Sequence, residues 1–236
     1  MSDHLKRLNA PRSWPIKRKV SIWTTKQRPG SHSVENSIPA AFLLRDMIKI
    51  CDTAREAKRI VANRDLLLVD GKPVRDVKAP VGLMDAVAIP KMDLYFRIVL
   101  TDKGKLVAVP ISKDEAGWKL CRVEGKTKIT GGKIQVNLND GRNILLEKNA
   151  YKSGDVLKIA VPSQEILEVF ALDKDAAVLI TSGQHAGKTV TVSEYIITED
   201  ASANIVRFTD GTETVKRNVF VIGAGSSAIK LPEASE

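Results

Sequence analysis

From Leu94 onward the chain is written in short apolar or alternating runs, LYFRIVL, LVAVPI, WKLCRV, KIQVNL, NILLE and VLKIAV, separated by DKG, EAG, EGK, NDG and SGD. Runs this short, punctuated by glycine, aspartate and asparagine, are the pattern of antiparallel strands joined by tight turns. Ile134, Val136 and Leu138 should face a core while Gln135, Asn137 and Asn139 face out, with Asn139-Asp140-Gly141-Arg142 making the turn. A further series starts near Ala171, where AAVLITSGQHAGKTVTVSEYI reads as strand, glycine-punctuated loop and strand. Residues 203–208, the Asp210-Gly211 turn, 214–215 and 218–222 supply its remaining strands. The expectation is two β-rich units of sheet or barrel type.

Ahead of them, FLLRDMIKICDTAREAKRIVANRDLLLVDGKPVRDVK, residues 42–78, follows a helical period. A helix is expected over 41–50, with Phe42, Leu43, Leu44, Met47 and Ile48 on a broad apolar side and Arg45 and Lys49 four apart on another. Thr53-Ala54-Arg55-Glu56 fits a capping box, in which a hydroxyl and a carboxylate satisfy backbone N–H groups that otherwise lack partners, so a second helix should start near Ala54. Ala54, Ala57, Ile60 and Val61 would be buried, with Arg55, Lys58 and Arg59 opposite and Arg64 just past the end. Residues 66–69 then run as a strand into the Asp70-Gly71 turn. Cations at fixed spacing on a rigid helix pair can replace the counterions along a nucleic-acid backbone; a merely solvated amphipathic pair would read the same way.

Charge is unevenly placed. The chain has 37 Lys and Arg against 28 Asp and Glu, a formal net charge of +9 that favours an anionic partner. Up to Gly30 the cations Lys6, Arg7, Arg12, Lys17, Arg18, Lys19, Lys26 and Arg28 face Asp3 alone, so seven of the nine net charges sit there. Pro11, Pro15, Pro29 and Pro39, with almost no periodic apolar pattern, predict an arm that is extended when free and ordered by its partner. Trp14, Trp23 and His32 offer flat rings for stacking on unpaired bases while neighbouring cations hold phosphates. Packing of either tryptophan against the folded body is the competing reading.

Several function classes find no support. Gly183-Gln184-His185-Ala186-Gly187-Lys188-Thr189 has three residues between its first glycine and the Gly-Lys-Thr, where a phosphate-binding loop needs four, and TVTV follows it in place of a helix. No nucleotide or other cofactor is expected. Lys188 and Arg142 remain candidate single contacts to RNA from their turns. Cys51 and Cys121 are far apart and His4, His32 and His185 scattered, so neither a disulfide framework nor a metal site is spelled out, and a reducing cytosolic setting is the default. No serine elbow, HExxH or spaced Cys and His pair suggests catalysis. No apolar run reaches signal or membrane-span length, so a soluble chain with no membrane partner is expected.

The order helix, capped basic helix, strand, DG turn and VRDV resembles the small RNA-binding domain named after ribosomal small-subunit protein four. LKRLNAPRSWPIKRK and RPGSHSVENSIP before it, the NDGRN turn after it, and AAVLITSGQHAGKTVTV, which is similar to a KOW motif with Gly187 at its characteristic glycine, extend the likeness. The whole chain resembles the archaeal and eukaryotic-type family of small-subunit ribosomal protein four, in its archaeal form. The tail GAGSSAIKLPEASE lacks the longer extension of eukaryotic members. The resemblance implies a multidomain α+β chain: a basic arm over 1–41, a helix-pair RNA-binding domain over 42–93, a central β domain over 94–170, a KOW-type barrel over 171–224 and a flexible tail over 225–236. It implies a non-catalytic constituent of the small subunit in the cytoplasm, with rRNA and neighbouring ribosomal proteins as partners. Two alternatives are a free RNA-binding or translation factor and an RNA-modifying enzyme such as a pseudouridine synthase, whose aspartate-bearing segment is not visible here.

Overall fold

A computed structural model of the chain describes residues 4–63, 66–199 and 202–232. It divides into two units, residues 1–100 with 105–119, and residues 101–104 with 120–236.

In the first unit a five-stranded antiparallel sheet runs in the order Lys72–Pro73, Leu68–Val69, Ala86–Ile89, Leu94–Leu100, Leu106–Pro110. Asp70 and Gly71 make its first hairpin with φ of 51° and 72°, the two positive angles a two-residue turn matched to strand twist requires. Pro90 opens a hairpin turn, Pro90–Met92 closed by Asp93, and Leu94–Leu100 pairs back on Ala86–Ile89. The sheet of the helix-pair region therefore continues to Pro110 instead of ending at residue 93. Ser37–Pro39 pairs with Pro80–Gly82, and Leu5–Lys6 with Trp23–Thr24.

The first helix is shorter than its apolar period predicts. An α turn over Ala40–Phe42 passes into a π turn over Leu43–Met47, and Lys49 ends it in the left-handed region at φ 61°. Ala40 to Leu44 are all buried, so this turn is enclosed by the protein and has no wet face over those residues. The second helix, Ala54–Ala62, is amphipathic, with Ala57 and Val61 buried, whereas Ile60 is only half-buried and Ala54, in the first turn, is exposed against expectation.

The second unit holds two antiparallel five-stranded sheets. One runs Asn143–Leu146, Ile134–Leu138, Trp118–Lys128, Val156–Ala160, Ile166–Phe170, the third strand entering from the first unit after Lys119. Its core is Cys121, Val123, Val136, Leu138, Leu157 and Ile159, flanked by the half-buried Ile144 and Ile166. The other runs Glu213–Val215, Ile205–Phe208, Thr189–Ile196, Ala176–Ile180, Val219–Ala224, with Ala176–Ile180 buried along its whole length. Arg122 ties the sheets together, its Nη1 donating to the carbonyls of Arg217 and Val219 at 2.7 and 2.8 Å. The fold is multidomain and α+β, mostly strand with few helices. No described helix is long and apolar enough to cross a membrane.

Candidate nucleic-acid interface

The capped helix is built as its sequence dictates. Thr53 Oγ1 accepts from the Glu56 N–H at 3.2 Å, while Glu56 Oε2 accepts from the N–H groups of Asp52 and Thr53 at 3.0 and 3.3 Å. The backbone bonds from Asp52 and Thr53 hold the Glu56 carboxyl below its ordinary pKa. Opposite the buried Ala57 and Val61, Arg55, Lys58 and Arg59 are exposed. Arg64 lies outside the described residues. Arg45 and Lys49 do not share a helical face with one another, because the π turn and the left-handed Lys49 intervene. Arg45 instead bonds its neighbour, Nη2 and Nε lying 2.7 and 3.0 Å from Asp46 Oδ2.

A depression of about 380 Å³ brings Arg45 together with the arm. Its lining includes His4, Arg7, Trp23, Lys26, Arg45 and Lys78, and among the described residues contains no acidic one. Trp23 is 52% exposed, and the His4 ring tilts against it at 51° with centroids 5.4 Å apart. Arg7 is fixed by donating from Nε to the Lys17 carbonyl at 2.5 Å and from Nη1 to Ser21 Oγ at 3.2 Å.

The arm is folded onto the body, which corrects the expectation of an extended segment. Trp14 is 1% exposed, donates from Nε1 to the Ser37 carbonyl at 2.7 Å, and stacks on Phe42 with centroids 6.0 Å apart. An indole so enclosed has no face left for a base. His32 is likewise buried, its Nε2 2.9 Å from Asp85 Oδ1, and so is withdrawn from base stacking. Arg18 bridges the arm's own backbone, donating to the carbonyls of Leu8, Ala10 and Pro11 at 3.2, 2.7 and 2.8 Å. Arg28 pairs with Asp76 at 2.7 Å yet stays largely exposed. Lys6, Arg12, Lys17 and Lys19 are exposed.

In the second unit Arg142 is drawn inward, its Nε 3.1 Å from the buried Asp140 carboxylate, so that it stabilises its own turn. Lys188 is exposed in its loop. Gly187, at φ 93°, is needed for internal reasons, since a Cβ there would stand 1.8 Å from the Thr101 carbonyl oxygen.

His4 and Lys78 were not singled out by sequence. Lys78 closes the VRDVK run and was legible only as one more cation; its backbone is tied to the arm by the Arg28 N–H, which donates to the Lys78 carbonyl at 2.9 Å. The buried charges were also missed. Lys119 Nζ lies within hydrogen-bond reach of both Asp70 and Asp85. Burial raises the Asp85 pKa, but Lys119 and then His32 outweigh it and leave the carboxyl below the usual carboxylate range. Arg97, pushed down to about 10 by burial, lies 4.0 Å above the Trp118 ring and donates to the carbonyls of Glu115 and Trp118. Among the described residues no group of three or more His, Cys, Asp or Glu is gathered to hold a metal ion.

The family model for Ribosomal family S4e matches residues 92–166, and that for the RS4NT (NUC023) domain matches residues 1–35. The small ribosomal subunit protein eS4 of Methanothermobacter thermautotrophicus is 42% identical over 233 residues, covering 97% of this chain and 96% of that protein. The eS4 protein of Ignicoccus hospitalis is 38% identical over 245 residues, covering 98% and 96%. The crystal structure of the 30S ribosomal protein S4e from Thermoplasma acidophilum matches with a TM-score of 0.70 at 37% identity, over 80% of this chain and 96% of that one.

Proposed function

The chain belongs to the S4e family of small-subunit ribosomal proteins, of the archaeal type, and on that premise we propose that it grips small-subunit rRNA through Arg55, Lys58 and Arg59 of its capped helix together with the exposed cations of the arm. It is a structural constituent of the small ribosomal subunit, binds rRNA there and takes part in translation in the cytoplasm. Its family is not an enzyme class. In this reading it carries out no reaction, holds no nucleotide cofactor and has no membrane partner. Its partners are rRNA and neighbouring ribosomal proteins.

One observation carries the reading. Arg55, Lys58 and Arg59 stand on a helix whose opposite face is buried and whose start is locked by the Thr53 and Glu56 cap, so three cations are offered at fixed spacing. Folded RNA leaves its base edges poorly readable in A-form grooves, and a rigid cationic face docks on it by shape and phosphate contact. Lys6, Arg12, Lys17 and Lys19 offer further exposed cations along the arm, and Lys188 one in the second unit.

Chemical footprinting of the full chain on naked small-subunit rRNA, with an unrelated structured RNA as competitor, tests this. A discrete footprint that survives competition is expected. Diffuse protection that the competitor removes would overturn the proposed rRNA contact.

A further inference from the structure

We propose that the depression between the arm and the Leu43–Met47 turn takes one unpaired nucleotide of an RNA strand, its base stacked on Trp23 and its flanking phosphates held by Arg7, Lys26, Arg45 and Lys78. The inference rests on the rRNA-binding reading above and adds what this particular place receives.

The site's chemistry selects the ligand class. Its lining carries Arg7 and Lys26 from the arm, Arg45 from the Leu43–Met47 turn and Lys78, with no acidic side chain among the described residues, so it favours an anion. Asp46 offsets part of the Arg45 charge from outside that lining. A guanidinium has five donors, so Arg7 keeps capacity beyond its two bonds to Lys17 and Ser21 while those bonds fix its position. An acidic peptide would also satisfy such cations, but it would leave the indole without a flat partner.

Trp23 supplies the second requirement. Trp14 is enclosed against Phe42 and Trp118 is covered by Arg97, whereas Trp23 presents half its surface to solvent within the cationic depression. Its backbone is held by the pairing of Trp23–Thr24 with Leu5–Lys6, and His4 supports the ring, so the indole is positioned before any ligand arrives. A base on such a ring must have a free face, which a base inside a duplex lacks, so the ligand is unpaired. The volume of about 380 Å³ sits near the lower end of the roughly 300–1,000 Å³ typical of ligand pockets, room for a single nucleotide rather than a folded element.

The test uses the full chain, its intrinsic tryptophan fluorescence, and an unstructured single-stranded RNA of about six nucleotides. Comparisons are a duplex of the same length, a mononucleotide and polyglutamate. The strand should quench the fluorescence and bind more tightly than the other three. Trp23→Ala should abolish the quenching and weaken strand binding about 5- to 100-fold, with Trp23→Phe, which keeps a flat ring, retaining most of the affinity. Lys78→Gln should lower the salt slope by about 0.7 for one lost single-strand phosphate contact. No strand binding, equal quenching by the duplex, tighter binding of mononucleotide or polyglutamate, or strand affinity unchanged in Trp23→Ala would each overturn the assignment. The rRNA footprint separates the two claims. If it persists while the strand assay fails, the pocket assignment falls alone; if the footprint itself is absent, the rRNA contact falls with it.

Discussion

The Nζ of Lys119 lies 2.7 Å from Oδ1 of Asp85, an opposite-charge pair in which both side chains are almost wholly withdrawn from solvent. Asp70 Oδ2 stands 2.9 Å from the same Nζ, and His32 Nε2 is 2.9 Å from the same Asp85 oxygen. Removing one member strands the others in a poorly solvating interior. Lys119→Met should therefore cost about 3–5 kcal/mol in urea unfolding, and Lys119→Met with Asp70→Asn and Asp85→Asn should recover much of it. A single mutant as stable as the parent would show the network to be energetically idle.

Asp85 also sets a pH dependence. Its folded-state pKa is depressed below the ordinary carboxylate value of about 3.9. The stabilisation is therefore complete above that value and is lost as the pH falls through the folded-state pKa, when the buried carboxylate takes up a proton. Unfolding free energy measured from neutral pH downward should fall more steeply in the parent than in Asp85→Asn. Parallel acid limbs would contradict the assignment.

The two arm tryptophans should separate cleanly. Trp14→Ala removes a buried indole with its bond to the Ser37 carbonyl and should cost about 3–5 kcal/mol. Trp23→Ala, at an exposed ring, should stay within about 0.5 kcal/mol. Thermal unfolding of both variants is the measurement.

Gly187 and Gly211 test space against backbone angle. Both have positive φ, 93° and 74°, but a Cβ on Gly211 meets nothing within 4 Å. Gly211→Ala should show only the left-handed penalty of about 1–2 kcal/mol. Gly187→Ala should cost a further 1–3 kcal/mol or so, because the Thr101 backbone must move. Equal losses would mean the loop yields freely.

If the helix face is the dock proposed above, Arg55→Glu with Lys58→Glu should weaken rRNA binding more than about tenfold, since each swap would remove a phosphate contact and add repulsion. Both positions are exposed, so the fold should survive and circular dichroism should be unchanged. Parental affinity in the folded double mutant would reject this face as the dock.

What could be read from the sequence follows the range of the interactions concerned. The Thr53 and Glu56 cap and the Asp70-Gly71 turn are decided within a few residues, and both form as their local chemistry requires. Val136 and Leu138 are buried as their alternation predicts, while Ile134 is only half-buried near the strand's start. The first helix departs from its amphipathic period because that period presupposes one wet face, and Ala40 to Leu44 have none. The strand Ile166–Phe170 was missed, since it carries a register shift against Val156–Ala160 that breaks its alternation. Within the candidate interface, exposure of Arg55, Lys58 and Arg59 is legible from helical spacing. The fates of Trp14, His32, Arg18 and Arg142 were not, because a ring or guanidinium gives no sign in its own neighbourhood of the carbonyl or carboxylate it will meet. Lys119 is the extreme case, its two carboxylates lying 49 and 34 residues away along the chain.

The seating of Trp14 on Phe42 has a thermodynamic corollary for assembly. An arm that folds only on RNA would give a large negative heat-capacity change from coupled ordering and would set much of its contact energy against lost chain entropy. Here the root of the arm is already fixed by a buried ring, and Arg18 braces the backbone between Leu8 and Pro11. On the proposed rRNA contact the chain would meet its RNA as a shaped object, and the electrostatic gain of the exposed arm lysines would go into affinity with little deducted for ordering.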